Sequence, residues 1–311
     1  MLAPMAGVTD MPFRALCREM GCDMAYTEMV SASGLYNKNA KTKLLLETHP
    51  QGEPCGAQLF GGDPAVMAYA AAWIENECAG RFTLIDINMG CPAHKITRGG
   101  EGGALMKNPA LAGAIVGRVA DAVKLPVTVK IRAGWDKGGV NAVSFARVMQ
   151  ESGAAAVCVH GRTAVQQYCG KADWGVIGEV KAALTIPVWG NGDIFTAKDA
   201  LMMRARTGID GVLVARGALG NPFLFREIKA ARDGKSVAPP AIRERVHVAL
   251  RHAAMMQDYK GARGMIEMRK HIAWYMRGCK GCAILRGKLQ AVRAYGELEE
   301  LLLGYLADSA R

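Results

Sequence analysis

No run in this sequence is long and apolar enough to span a membrane, because charged or strongly polar residues interrupt every extended hydrophobic stretch. The N-terminus lacks the basic segment and apolar core of a secretory signal. The nine cysteines are odd in number and follow no framework spacing, which suits a reducing compartment and argues against a disulfide-stapled fold. One pair, Cys279-Lys280-Gly281-Cys282, has no second pair nearby, and no metal is expected. Two nucleotide-binding fingerprints are also missing. Gly190-Asn191-Gly192 follows an apolar run, yet Phe195 stands where a dinucleotide loop needs its third glycine. Gly99–Gly103 lacks the lysine and hydroxyl that a phosphate-binding P-loop requires. The expectation is a soluble, cytoplasmic protein built on neither nucleotide fold.

Material for a core is plentiful. Half of the 311 residues are apolar and 22% are charged, which excludes a disordered chain and suits one large domain with a small second one. Apolar, β-branched-rich runs occur at Met1–Ala6, Met24–Val30, Cys55–Phe60, Thr83–Met89, Val127–Ile131, Ala155–Val159, Pro187–Trp189 and Gly211–Val214. Amphipathic stretches such as Pro64–Glu77, Pro109–Val123, Asn141–Ser152, Trp174–Leu184 and Thr196–Thr207 lie between them. Eight strands alternating with helices in about 230 residues predict an α/β fold, a closed (β/α)8 TIM barrel over residues 1–234. Met1-Leu2-Ala3 is short for a barrel strand, so that strand is expected to be abbreviated or to draw on residues upstream. After a Gly234–Pro240 linker the pattern turns purely helical, predicting a small bundle over 241–311 with Met265, Met268, Ile272, Tyr275 and Met276 in its core.

Charge is concentrated in that tail. Residues 241–295 hold twelve Lys and Arg against three acids, so nine of the net +11 charges lie there. An excess gathered in one segment points to a nucleic-acid partner, whereas an even spread would serve only solubility.

Barrel chemistry gathers at the C-terminal ends of the strands. Those ends carry Pro4-Met5-Ala6, Glu28, Gln58, Asn88 with Cys91, Lys130 with Arg132, His160 with Arg162, Asn191-Gly192-Asp193 and Ala215-Arg216-Gly217. Cys91 ends an apolar strand at Gly90-Cys91-Pro92, which places a thiol at a rigid loop tip. A cysteine there is most often a small buried hydrophobe, and only its polar neighbours raise the chemical reading. The loops after the last two strands, with their glycines and Arg216, are where many barrels bind a phosphate.

Ala3–Asp10, Gln58–Gly61, Asp86-Ile87-Asn88-Met89-Gly90-Cys91-Pro92, Val129–Arg132, His160–Thr163, Gly190–Ile194 and Met268–Tyr275 together resemble the flavin-dependent tRNA-dihydrouridine synthases, in particular the bacterial B-like branch. The resemblance implies bound flavin mononucleotide (FMN), held by Pro4, Met5, Ala6, Gln58, Lys130, His160, Asn191, Gly192, Asp193, Ala215 and Arg216. It implies NADPH, or NADH, as reductant and a tRNA uridine, in the D-loop, as substrate. Hydride would pass from flavin N5 to uracil C6, and Cys91 would protonate C5 from the opposite face. An ordinary thiol, titrating near 8.5, holds its proton at neutral pH. Asn88, Lys95, Arg132 and Arg162 would hold the base and its phosphate. A monomer without an obligatory protein partner is expected. Two other readings stay open at this point: a flavin barrel acting on a free small molecule, and a catalytically silent RNA-binding protein on a barrel scaffold.

Overall fold

The computed structural model describes residues 1–50, 52 and 54–309. Its strands are β1 (Ala25–Tyr26), β2 (Val30–Ser31), β3 (Cys55–Phe60), β4 (Leu84–Met89), β5 (Val127–Arg132), β6 (Ala156–His160), β7 (Val188–Asn191) and β8 (Gly211–Leu213). All pairings between them are parallel, in the order β1-β3-β4-β5-β6-β7-β8, with β2 continuing β1 along β3. The expected strand Met24–Val30 is therefore broken. Thr27 spans the break, donating its N–H to Gly56 and accepting the Gln58 N–H on its hydroxyl at 3.0 Å.

The expected first strand shrinks further, to one residue. Leu2 pairs in parallel with both Ala25 and Val214, and so closes the sheet into a barrel. Leu2 N–H bonds Met24 O at 2.9 Å, Ala3 N–H bonds Val214 O at 2.8 Å, and Val214 N–H bonds Met1 O at 2.9 Å. Beyond it the chain turns, because Val8 and Thr9 both donate to the Met5 carbonyl.

Helices follow the strands where the sequence supplies start signals. Asp63 and Asn108 each precede a proline at the first helical position, and their side chains cap Val66 N–H (2.9 Å) and Leu111 N–H (3.1 Å). Thr196 and Asp199 form a reciprocal capping box, and Gly208 ends that helix at φ +68°. The apolar faces of these helices and of the strands form one buried cluster from Leu2 to Phe225.

A second cluster fills the C-terminal helices Ile242–Tyr275, Cys282–Leu289 and Tyr295–Ser309. Met265, Met268, Ile272, Tyr275 and Met276 are at most 1% exposed, and Leu16 and Phe223 project into this core from the barrel side. The long helix breaks at Gly261, φ +57°, so that His252 and His271 from its two halves meet at 4.7 Å. Ion pairs Lys260–Asp10 (2.6 Å) and Arg226–Glu244 (2.6 Å) tie the tail to the barrel. Among the described residues no helix is long and apolar enough to cross a membrane.

Candidate active site

Strand register decides which side chains meet. Pairing sets Gln58 beside Asp86 and Asp86 beside Thr128, then Asn88 beside Lys130 one layer higher. Arg132 stands beside His160, and His160 beside Asn191. Alternation along each strand sends all of these toward the barrel axis.

Above them opens a cavity of roughly 1070 Å³. Fourteen of the sixteen residues expected at the site line it: Pro4, Met5, Ala6, Asn88, Cys91, Lys95, Lys130, Arg132, His160, Asn191, Gly192, Asp193, Ala215 and Arg216. Gln58 and Arg162 do not. The lining holds four Lys or Arg and a single carboxylate, Asp193, which suits an anionic occupant. Among the described residues no group of three or more His, Cys, Asp or Glu is placed to hold a metal ion.

Cys91 is half-buried on the cavity wall. Its N–H donates to Asn88 Oδ1 at 2.9 Å, and its carbonyl accepts from Gly103 at 2.9 Å. A Cβ at Gly103 would sit 3.0 Å from the Cys91 carbonyl oxygen, so the glycine-rich segment that resembles no P-loop buttresses the thiol loop instead. Lys130 Nζ donates to Asn191 Oδ1 at 3.3 Å, and burial lowers its pKa. Burial, reinforced by Lys130, Arg132, Arg162 and Arg216, holds the His160 pKa well below the ordinary imidazole range. His160 is thus neutral at pH 7, a hydrogen-bonding group rather than a charge.

Three side chains expected at the site, and one backbone N–H beside them, are engaged within the protein. Arg132, expected at the substrate, is 3% exposed and staples three loops: Nε to Gly90 O (2.7 Å), Nη1 to Thr163 O (2.8 Å) and to Gln167 O (3.0 Å). Arg162, also expected at the substrate, is 2% exposed and pairs with Asp193 at 2.8 Å and with the Cys169 and Gly170 carbonyls. The Gln58 carboxamide, expected at the flavin edge, is spent on Asp86 (2.6 Å) and Asn88 (2.9 Å). The Met5 N–H is taken by Thr9 Oγ1 at 3.0 Å. In each case a polar group at a strand end found its partner within the protein, which burial obliges it to do.

Asp193 holds Arg162 on one oxygen and Arg216 (3.3 Å) on the other. Arg216 also lies over the rings of Tyr168 (4.6 Å) and Phe195 (5.6 Å), both exposed on the rim. Gly192, φ +123°, fits because a Cβ would meet Ala172 at 2.7 Å and the His160 ring at 3.0 Å. Sequence reasoning missed Met29, Trp135, Tyr168 and Phe195 in the lining, and did not place Trp274 there. Loop aromatics carry no periodic signal. Asp86 was missed too, although a lone acid within Leu-Ile-Asp-Ile is a visible anomaly.

Tail residues border the mouth. Trp274 lines the cavity, and Lys270 Nζ donates to Gly7 O at 2.5 Å.

Comparison with known proteins agrees along the whole chain. A family model described as Dihydrouridine synthase (Dus) matches residues 1–310. A probable tRNA-dihydrouridine synthase 1 of Synechocystis is 43% identical over 302 residues, covering 96% of this chain and 84% of its own length. A tRNA-dihydrouridine synthase B of Pseudomonas putida is 40% identical over 293 residues, covering 94% and 86%. Among solved structures, an amine oxidase acting on 6-hydroxypseudooxynicotine from Pseudomonas geniculata superposes with a TM-score of 0.57 at 14% identity, over 74% of this chain and 47% of that one. A variant of NCR from Zymomonas mobilis gives 0.53 at 16% identity, over 79% and 89%. At such low identity these two structures speak for the barrel fold alone. Sequence kinship carries the rest: the chain belongs to the dihydrouridine synthase family of oxidoreductases.

Proposed function

We propose that this protein reduces the C5=C6 bond of a uridine in the D-loop of tRNA, with bound flavin mononucleotide and with NADPH, or NADH, as reductant. The observation that carries this reading is a thiol, Cys91, on the wall of a cationic cavity at the barrel mouth, bordered by a basic helical tail. Flavin mononucleotide fits the residues present. Its phosphate suits a lining with four cations and one carboxylate, and Arg216 can bond it directly. Lys130, His160, Asn191, Gly192, Asp193 and Ala215 would complete its site, with Pro4, Met5 and Ala6 along its edge. When bound and reduced, flavin supplies the hydride to C6 of the uracil ring.

The chain's own groups do the rest. Lys130 supplies positive charge beside the cofactor. Asn88 holds the base, and Lys95, exposed at the mouth, meets the RNA backbone. Cys91 gives its thiol proton to C5, and water returns a proton to the thiolate. Arg132 and Arg162 act from behind, by fixing the loops that carry Cys91 and Asp193.

Two measurements on purified protein test this. Acid denaturation should release flavin mononucleotide, identified by absorbance and mass. Incubation with NADPH and tRNA lacking dihydrouridine should yield dihydrouridine in the nucleoside digest. A colourless protein that binds tRNA without reducing it would return the reading to an RNA-binding scaffold. Reduction of free uridine would move it to small-molecule chemistry.

A further inference from the structure

Asp86 lies between Ile85 and Ile87 in strand Leu84–Met89 and is 1% exposed. Burying a carboxylate is costly unless donors surround it. Here Thr128 Oγ1 and Gln58 Nε2 each donate to it at 2.6 Å. Burial pushes its pKa up to about 6, while Gln58, Thr128 and Lys130 pull it down, so Asp86 is an anion at neutral pH.

A carboxylate only accepts, so Gln58 must turn Nε2 toward it. That leaves Gln58 Oε1 to accept from Asn88 Nδ2 at 2.9 Å. At the far end, Asn88 Oδ1 accepts the N–H groups of Cys91 (2.9 Å) and Gly90 (3.2 Å), which can only donate. Both ends of the chain are set by groups that cannot exchange roles, so neither amide between them can flip. The second Nδ2 hydrogen of Asn88 faces Met29 Sδ at 3.1 Å, a weak acceptor that a ring carbonyl can replace. Asn88 and Met29 both line the cavity.

We propose that the buried chain Thr128–Asp86–Gln58–Asn88 is a positioning relay, in which Asp86 sets the donor–acceptor polarity of Gln58 and so gives Asn88 Nδ2 a fixed acceptor. Through Asn88 it anchors the backbone of Cys91 and presents an N–H to the substrate base. Asp86, Gln58 and Thr128 touch no substrate themselves. The statement about the base rests on the function proposed above. The statement about Cys91 does not.

Three variants test the relay. Gln58→Met interrupts it at every pH. Gln58→Glu reproduces it only while protonated, donating O–H to Asp86 and accepting from Asn88; once the carboxyl pair gives up its shared proton the bond to Asp86 is lost and the two like charges drive the side chain at position 58 out of register with Asn88. Gln58→Glu with Asp86→Asn restores it, because the new amide donates to an ionised Glu at position 58. Lys130, Tyr26 and Cys158 face position 86 in all three as in the wild type, so any new inflexion belongs to the altered pair at positions 58 and 86.

The readout is iodoacetamide alkylation of Cys91 in cofactor-free protein, followed on its own peptide and taken as a ratio to wild type across pH. Gln58→Met should raise the ratio by about twofold to tenfold, the range for one lost hydrogen bond. Gln58→Glu should start near unity and climb to that level as pH rises. The double variant should stay near unity throughout. A flat ratio for Gln58→Glu, or an inflexion surviving in the double variant, would overturn the relay, and that comparison decides even if Gln58→Met does not fold. Dihydrouridine formation per bound flavin should fall in parallel. If the wild type reduces no tRNA while the alkylation ratios follow this pattern, the proposed function fails and the relay stands.

Discussion

Replacing Arg132 by Met keeps most of the side-chain volume and removes three hydrogen bonds. They hold Gly90, next to the thiol, and Thr163 and Gln167, in the loop after β6. A buried carbonyl that loses its donor costs about 1–3 kcal/mol. The cavity lets water reach these groups, so the lower end applies, giving about 3 kcal/mol for the three. A chain of this length shifts its melting midpoint by about 2 °C per kcal/mol, so a drop of about 6 °C is expected. Slower dihydrouridine formation should accompany it, because Gly90 is freed beside Cys91. Calorimetry and single-turnover assays measure these two consequences, and steady-state rates across tRNA concentration give KM. An unchanged midpoint with a raised KM for tRNA alone would refute this account, since that is what a direct contact between Arg132 and the RNA would produce.

Cys91→Ala should keep its flavin and still oxidise NADPH, yet form dihydrouridine about 10²–10⁴ times more slowly; wild-type turnover would remove Cys91 from the mechanism. In the tail, Arg269 and Lys270 are occupied by the Val292 and Gly7 carbonyls, whereas Arg277, Lys280, Arg286 and Lys288 are exposed. Neutralising these four should flatten the salt dependence of tRNA binding by about one unit of log–log slope per lost contact; superimposable curves would mean the RNA docks elsewhere. Burial lowers the His252 pKa to about 4 and holds His271 well below the usual range, and neither His271 nitrogen has a partner. The unfolded chain therefore binds protons that the folded one refuses, and stability is lost as pH falls from about 6.5 toward 4. His271→Phe should shrink that acid loss, read as the melting midpoint against pH; an unaltered acid limb would show that other groups set it.

The barrel was legible in the sequence because strands and helices announce themselves by local periodicity, and eight alternating units leave few topologies. Gly90-Cys91-Pro92 and the paired glycine turns were legible for the same reason: loop chemistry follows from adjacent residues. Where a polar side chain spends its hydrogen bonds is not local. Arg132, Arg162 and Gln58 were placed at the correct strand ends, but their partners lie on neighbouring strands 28 or more residues away, as with Gln58 and Asp86, or in loops beyond them. Asp86 shows the division most clearly. Sequence alone marks it as an acid among apolar neighbours, and only the parallel register sets Gln58 on one side and Thr128 on the other. The single-residue closure at Leu2 was equally a tertiary decision, because one residue carries no periodicity and its pairing needs both barrel edges in place.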